Sequence, residues 1–161
     1  RLDVRAIFLS GNSADPDVYD AASLDPLYST LRESRRPVFG FCGGMQFLAD
    51  AFGSPVVPLP RTGDEQAFEF GYFPVEITDH HPVLDGVGDS PIVRHAHQLH
   101  VPEPPVGFRI LGRTERTPVQ IIADDDRRAF GTQFHPEYWT DEHPAGRTMI
   151  ANFLDWAGVR R

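Results

Sequence analysis

The stretch that decides the fold is Pro37-Val38-Phe39-Gly40-Phe41-Cys42-Gly43-Gly44-Met45-Gln46. Its first five residues are almost all apolar, which is typical of a strand covered by helices on both faces of the sheet. The glycines around Cys42 remove side chains that would clash in a sharp turn. A helix is predicted to follow, from Gly44 to Phe52. The stretch therefore predicts a strand, a tight turn with a cysteine at its tip, and a helix.

Cys42 is the only cysteine of the chain, and the predicted turn would activate it as a nucleophile. The positive end of the following helix points at the sulfur and favours the thiolate. The backbone N–H of Gly43 is then free to bind a developing oxyanion. The alternative is an inert buried thiol, because free cysteine is often a small core residue. A free thiol suits a reducing cytoplasm, which is the predicted location.

The segments around this stretch predict an α/β fold. A short strand from Val4 to Leu9 is followed by a helix that has Asp25 as N-cap and Pro26 at its first position. With the strand Pro37 to Phe41 and the next helix, the order is β-α-β-α, which predicts a parallel sheet with right-handed crossovers.

The second half of the chain has shorter strands, separated by turn clusters. Antiparallel hairpin-like strands are predicted at the alternating Phe68, Phe70 and Tyr72, and at 93–101, 108–112, 119–123 and 129–134. A final helix is predicted to start near Pro144. We therefore expect a single domain over residues 1–161, with a flavodoxin-like, mostly parallel sheet flanked by helices and an antiparallel extension.

Composition limits the classes of partner. The 161 residues carry a net charge of −8, which argues against nucleic acid or an anionic membrane as the main partner. No run approaches the roughly 18 apolar residues of a membrane span. Neither a Gly-x-Gly-x-x-Gly motif nor a phosphate loop is present, so no cofactor is predicted.

A second motif, Gly131-Thr132-Gln133-Phe134-His135-Pro136-Glu137, offers a base for the thiol. Pro136 biases His135 toward an extended conformation. In an extended segment residues i and i+2 project to the same side, which places Glu137 beside His135. A carboxylate there would fix the imidazole tautomer and complete a catalytic triad.

Three further histidines, His95, His97 and His100, resemble a metal-ligand pattern. On a strand, His95 and His97 share one face and His100 lies on the other. Because no cysteine or carboxylate is seen to complete the set, no metal is predicted.

The stretch Gly40 to Gln46 and the stretch Gly131 to Glu137 together resemble the motifs of the triad (class I) glutamine amidotransferases. The resemblance runs from Leu9 to about Trp156. Supporting stretches are Phe8-Leu9-Ser10-Gly11, Gly71-Tyr72-Phe73-Pro74-Val75, Thr117-Pro118-Val119-Gln120 and Asn152-Phe153-Leu154. It also implies that a β-α-β unit normally precedes the Ser-Gly loop, and we expect this unit to be missing here.

The resemblance implies the roles of the triad. Cys42 would attack the side-chain amide of glutamine and form a γ-glutamyl thioester. His135 would act as base and then as acid to the leaving ammonia, while Glu137 would orient His135. The ammonia would serve an acceptor reaction, for which the expected partner is a separate synthetase chain.

The resemblance also implies the residues that bind the substrate. The N–H groups of Gly43 and Gly11 would form the oxyanion hole. Gln46 would contact the substrate glutamine, and the Ala96-His97-Gln98 segment would hold its amino-acid end.

Two other functions remain open. A γ-glutamyl hydrolase or peptidase would use the same triad with a different leaving amine. A catalytically inactive scaffold of the same fold is the alternative without chemistry.

Overall fold

The computed structural model describes residues 3–11, 20–61 and 67–160. The helices of this part are α1 (Ala21–Glu33), α2 (Gly43–Ala51) and α3 (Ala145–Trp156). Its strands are β1 (Ile7–Leu9), β2 (Val38–Phe41), β3 (Val57–Pro58), β4 (Glu69–Pro74), β5 (Glu76–Ile77), β6 (Ile92–His97), β7 (Leu99–His100), β8 (Arg109–Arg113), β9 (Ile121–Asp124) and β10 (Ala129–Thr132). Short 3₁₀ helices cover Pro82–Leu84 and Pro136–Tyr138.

The central sheet has six strands in the order β1-β2-β10-β9-β8-β5. β2 runs parallel to both of its neighbours, β1 and β10. Beyond β10 the pairings with β9, β8 and β5 are antiparallel. The predicted α/β fold, with parallel strands between helices and an antiparallel extension, is confirmed.

Alternate residues of the parallel strands pack into two cores, one on each face of the sheet. Phe39 and Phe130 belong to the core that includes Met149 and Phe153 of α3. Their neighbours in sequence, Val38 and Ala129, belong to the core that includes residues of α1 and α2. All four residues of β2 are buried, which explains the almost continuous apolar run in its sequence.

The predicted start of α1 is wrong. The helix begins at Ala21, and Pro26 lies inside it rather than at its first position. Asp20 is the N-cap, and its carboxylate accepts a hydrogen bond from the N–H of Ala22 at 3.2 Å. Because this cap and the Ser23 N–H bond to the Asp20 carbonyl satisfy donors of the first turn, the helix extends upstream of the proline.

Two small antiparallel ribbons, β4–β6 and β3–β7, lie outside the central sheet. The predicted strand 93–101 is divided at Gln98, because β6 pairs with β4 whereas β7 pairs with β3. The β4–β6 ribbon reaches the central sheet near His135, whose N–H donates to the carbonyl of Arg94 at 2.8 Å. In the described part of the chain, no helix has the length and apolar character that crossing a membrane requires.

Candidate active site

Cys42 is the N-cap of α2 and lies at the carboxyl end of β2. Its φ of 53° and ψ of −117° are unusual for a residue with a side chain, which identifies a strained turn. The turn is held from both sides: the N–H of Cys42 donates to Thr132 of β10 at 2.8 Å, and a Cβ on Gly44 would lie 2.0 Å from the carbonyl oxygen of Leu9. The predicted sharp turn around a buried cysteine is therefore present.

His135 follows β10, the parallel neighbour of β2, so adjacent strand ends bring it to Cys42. Its Nδ1 lies 2.7 Å from Oε1 of Glu137. The predicted extended conformation after His135 is wrong, because Pro136 to Tyr138 form a 3₁₀ helix. Proline fits the first position of such a turn, where its missing N–H has no intrahelical partner to lose. The turn still brings Glu137 into contact with His135.

The charge of His135 is set by its neighbours. Burial lowers the pKa of His135, but hydrogen bonds to Cys42 and Glu137 outweigh burial and raise it to about 9. His135 is therefore protonated at neutral pH. A protonated imidazole next to the sulfur favours the nucleophilic thiolate.

Gly11 lies against both Cys42 and His135. A Cβ at this position would be 2.7 Å from Cε1 of His135 and 3.3 Å from Cβ of Cys42. Only a residue without a side chain allows this approach. Gly43 is the first residue of α2, where N–H groups have no intrahelical acceptor. Both predicted oxyanion-hole glycines thus lie next to Cys42, while residue 12, which follows Gly11, lies outside the described residues.

The three residues predicted to bind substrate are placed differently from one another. Gln46 is half-buried, and its amide nitrogen donates to the carbonyl of Leu99 at 3.1 Å and to Oε1 of Gln133 at 3.3 Å. Gln98 is exposed, and its carbonyl accepts from the N–H of Leu59 at 2.8 Å. The imidazole of His97 is turned into the interior. Their contact with substrate stays a prediction.

Glu69 is a buried acid that sequence reasoning missed. Its carboxylate accepts hydrogen bonds from Thr114, Thr117 and Gln120, each at 3.1 Å. Nε2 of His97 lies 2.7 Å from its Oε2. Burial raises the pKa of Glu69, but the contact with His97 and the other partners outweigh this and lower it to about 2. The only sequence signal was the place of Glu69 between Phe68 and Phe70, where an alternating strand turns it inward.

Glu69 also shows that one premise of the prediction about the histidine cluster is wrong, namely that no carboxylate lies beside these histidines. A carboxylate does complete a set with His95 and His97, since one ligand atom of each residue lies within 4.8 Å of the others. Such a set could hold a metal ion. However, the 2.7 Å between His97 and Glu69 is a hydrogen-bond separation, and three other donors already occupy the carboxylate. The contacts therefore describe a buried polar cluster around the carboxylate of Glu69.

The sequence matches the family model "Glutamine amidotransferase class-I" over residues 1–156. The chain belongs to this family. Among curated relatives, the GMP synthase (glutamine-hydrolyzing) of Symbiobacterium thermophilum is 39% identical over 98% of this chain. The enzyme of the same name from Thermus thermophilus is 37% identical over 98% of this chain. The chain spans 29% of the length of each of these relatives.

Solved structures show the same fold. A Thermoplasma acidophilum protein, described as one subunit of a GMP synthase, superposes with a TM-score of 0.83 at 24% identity, covering 98% of this chain and 74% of that one. A glutamine amidotransferase from Thermotoga maritima gives 0.68 at 18% identity, covering 92% and 60% of the two chains. The predicted family is thus confirmed. Relatives of this chain are glutamine-hydrolysing enzymes by name.

Proposed function

We propose that this chain, as one domain over residues 1–161, hydrolyses the side-chain amide of glutamine and releases ammonia. The observation that carries the proposal is the grouping of Cys42, His135 and Glu137. A strained cysteine lies at a helix N-terminus and interacts with an imidazole whose Nδ1 is 2.7 Å from a carboxylate oxygen. This arrangement suits a thiol nucleophile with a general base and an orienting acid.

The proposed reaction has two halves. The thiolate of Cys42 attacks the amide carbon, and the oxyanion is bound by the N–H groups of Gly43 and Gly11. As the C–N bond breaks, His135 gives its proton to the leaving nitrogen, and ammonia departs from a γ-glutamyl thioester. In the second half, His135 takes a proton from a water molecule whose oxygen attacks the thioester carbon. The C–S bond then breaks, which restores the thiolate of Cys42 beside protonated His135, and glutamate leaves after its new carboxyl gives its proton to solvent. Glu137 keeps Nδ1 of His135 protonated throughout.

The names of the relatives support a destination for the ammonia. Both are called GMP synthase, and this chain matches only 29% of their length. We propose that the ammonia passes to a GMP-forming synthetase unit outside the sequence described here. The γ-glutamyl hydrolase and the inactive scaffold are not favoured by these relatives.

The test measures glutamate release from glutamine and from a γ-glutamyl peptide, in the wild-type protein and in Cys42→Ala. We expect turnover of glutamine, little turnover of the peptide, and a loss of at least about 10³-fold in the variant. Turnover of the peptide alone would identify a γ-glutamyl hydrolase. Equal glutamine turnover by Cys42→Ala would remove Cys42 from the mechanism, and an inactive but folded wild type would support the scaffold.

A further inference from the structure

The buried acid Glu69 is connected to the helix that carries the nucleophile. Glu69 contacts His97, and Nδ1 of His97 lies 3.0 Å from the carbonyl oxygen of Leu99. The same carbonyl accepts the amide N–H of Gln46 at 3.1 Å. Gln46 lies one turn beyond Cys42 on α2, and its own N–H donates to the carbonyl of Cys42 at 3.1 Å. A continuous series of contacts therefore joins the buried acid to the start of α2.

The ring of His97 lies between two oxygen atoms. Its Nδ1 is 3.0 Å from the carbonyl oxygen of Leu99, and its Nε2 is 2.7 Å from Oε2 of Glu69. A backbone carbonyl only accepts hydrogen bonds, so Nδ1 is the nitrogen that donates to Leu99. The Glu69 carboxylate is itself held by three donors, Thr114, Thr117 and Gln120. The position of the ring is therefore fixed from both sides.

The other histidines nearby do not make this close contact. His95 is fully buried with Nδ1 3.7 Å from Glu69, and burial lowers its pKa to about 4. Burial also lowers the pKa of His100. Among these three histidines, His97 has the shortest separation from the carboxylate of Glu69.

We propose that Glu69 is a positioning residue for the glutamine site: it holds the ring of His97 in place, and His97 in turn fixes the Leu99 carbonyl that orients the side chain of Gln46. This inference rests on the proposed function. The same contact also fixes the end of β6, where the carbonyl of Ala96 lies 3.9 Å from the sulfur of Cys42. Because Glu69 touches neither Gly11 nor the triad in these contacts, its effect should fall on glutamine binding more than on the chemical step.

The kinetic test compares Glu69→Gln with Glu76→Gln, a matched change at an exposed acid that pairs with Arg113 on the far edge of the sheet. We expect Glu69→Gln to raise KM for glutamine about 10-fold or more, with kcat changed less than about 3-fold. Glu76→Gln should change neither. A uniform fall in kcat with unchanged KM in Glu69→Gln would overturn the inference.

A double-mutant cycle separates positioning from a general loss of structure. If Glu69 acts through Gln46, Glu69→Gln should add little to KM once Gln46→Leu is present. Full additivity of the two effects on KM would contradict the proposal.

A spectroscopic arm needs no activity. Nitrogen-15 NMR of histidine-labelled protein at pH 7 should show the ring signals of His97 shifted by Glu69→Gln and unchanged by Glu76→Gln, with the His97 signals assigned by their loss in His97→Gln. Signals of His97 that are the same in wild type and Glu69→Gln overturn the inference by themselves. A wild type that turns over no glutamine contradicts the proposed function instead, whereas an active wild type with KM unmoved by Glu69→Gln contradicts this inference alone.

Discussion

The His135–Glu137 pair of the proposed triad and the Glu69–His97 pair are both histidine–carboxylate contacts of 2.7 Å, yet they lie in different surroundings. The side chains of His135 and Glu137 are 12% and 31% exposed. Those of His97 and Glu69 are 1% and 10% exposed. The first pair is therefore the more accessible to a substrate. This difference in exposure suits the two proposed roles, proton transfer for the first pair and positioning for the second.

The partners of the two carboxylates differ in the same way. Oε2 of Glu137 is buried without a hydrogen-bond partner among the described residues. Glu69 instead receives three neutral donors besides His97. A carboxylate held by several donors stays ionised and fixed in place. The carboxylate of Glu69 is thus fixed by more partners than the carboxylate of Glu137.

The largest effect expected from this comparison is in Glu137→Gln. Loss of the orienting carboxylate should lower kcat for glutamine by roughly 10²- to 10⁴-fold, because the imidazole loses its tautomer and its charge partner. KM should change little, which is the opposite of Glu69→Gln. Steady-state kinetics of both variants, with circular dichroism as a control of folding, test the contrast. If both changes affected KM alone, the two pairs would have the same role.

The parts of the site that could be predicted from sequence are those whose residues lie close together along the chain. The run into Cys42 predicts a buried strand, a turn and a helix, because strand, turn and helix are adjacent in sequence. His135 and Glu137 are two positions apart, so any compact turn brings them together, even the 3₁₀ helix that replaced the predicted extended segment. The contact between His135 and Glu137 was therefore predicted correctly, although the conformation of the segment between them was not.

The Glu69 network could not be predicted, because its members come from separate segments. Glu69 is on β4 and Gln120 precedes β9, and their contact spans 51 positions. It depends on how the β4–β6 ribbon folds against the central sheet, which no local pattern encodes. The start of α1 was missed for a different reason. Two acidic residues, Asp20 and Asp25, both suit an N-cap, and the first-turn contacts of Asp20 select it.

A smaller effect is expected at Gly11, which lies against Cys42 and His135. Gly11→Ala would place a Cβ 2.7 Å from Cε1 of His135, so the imidazole must shift. We expect kcat/KM to fall about 10- to 100-fold, because small displacements of a catalytic base are costly. Gly86→Ala is the control: Gly86 has open space but a φ of +76°, so this change should cost about 1 kcal/mol of stability and leave activity intact. Full activity in Gly11→Ala would show that the loop moves to accommodate the added methyl group and that the imidazole keeps its position.

The smallest effect concerns the dependence of stability on pH. The pKa of His135 is raised from 6.5 to about 9 in the folded protein, so its contribution to stability is complete below pH 6.5 and is lost as the pH rises through about 9. Glu137→Gln removes one of the causes of this rise. The difference in free energy of unfolding between wild type and Glu137→Gln should therefore be about 1 kcal/mol at pH 6 and vanish near pH 10. Urea unfolding at both pH values measures it. Glu76→Gln is the control: its partner Arg113 stays charged over this range, so its difference from wild type should be the same at both pH values. A pH-independent difference in Glu137→Gln would mean that Glu137 does not control the charge of His135.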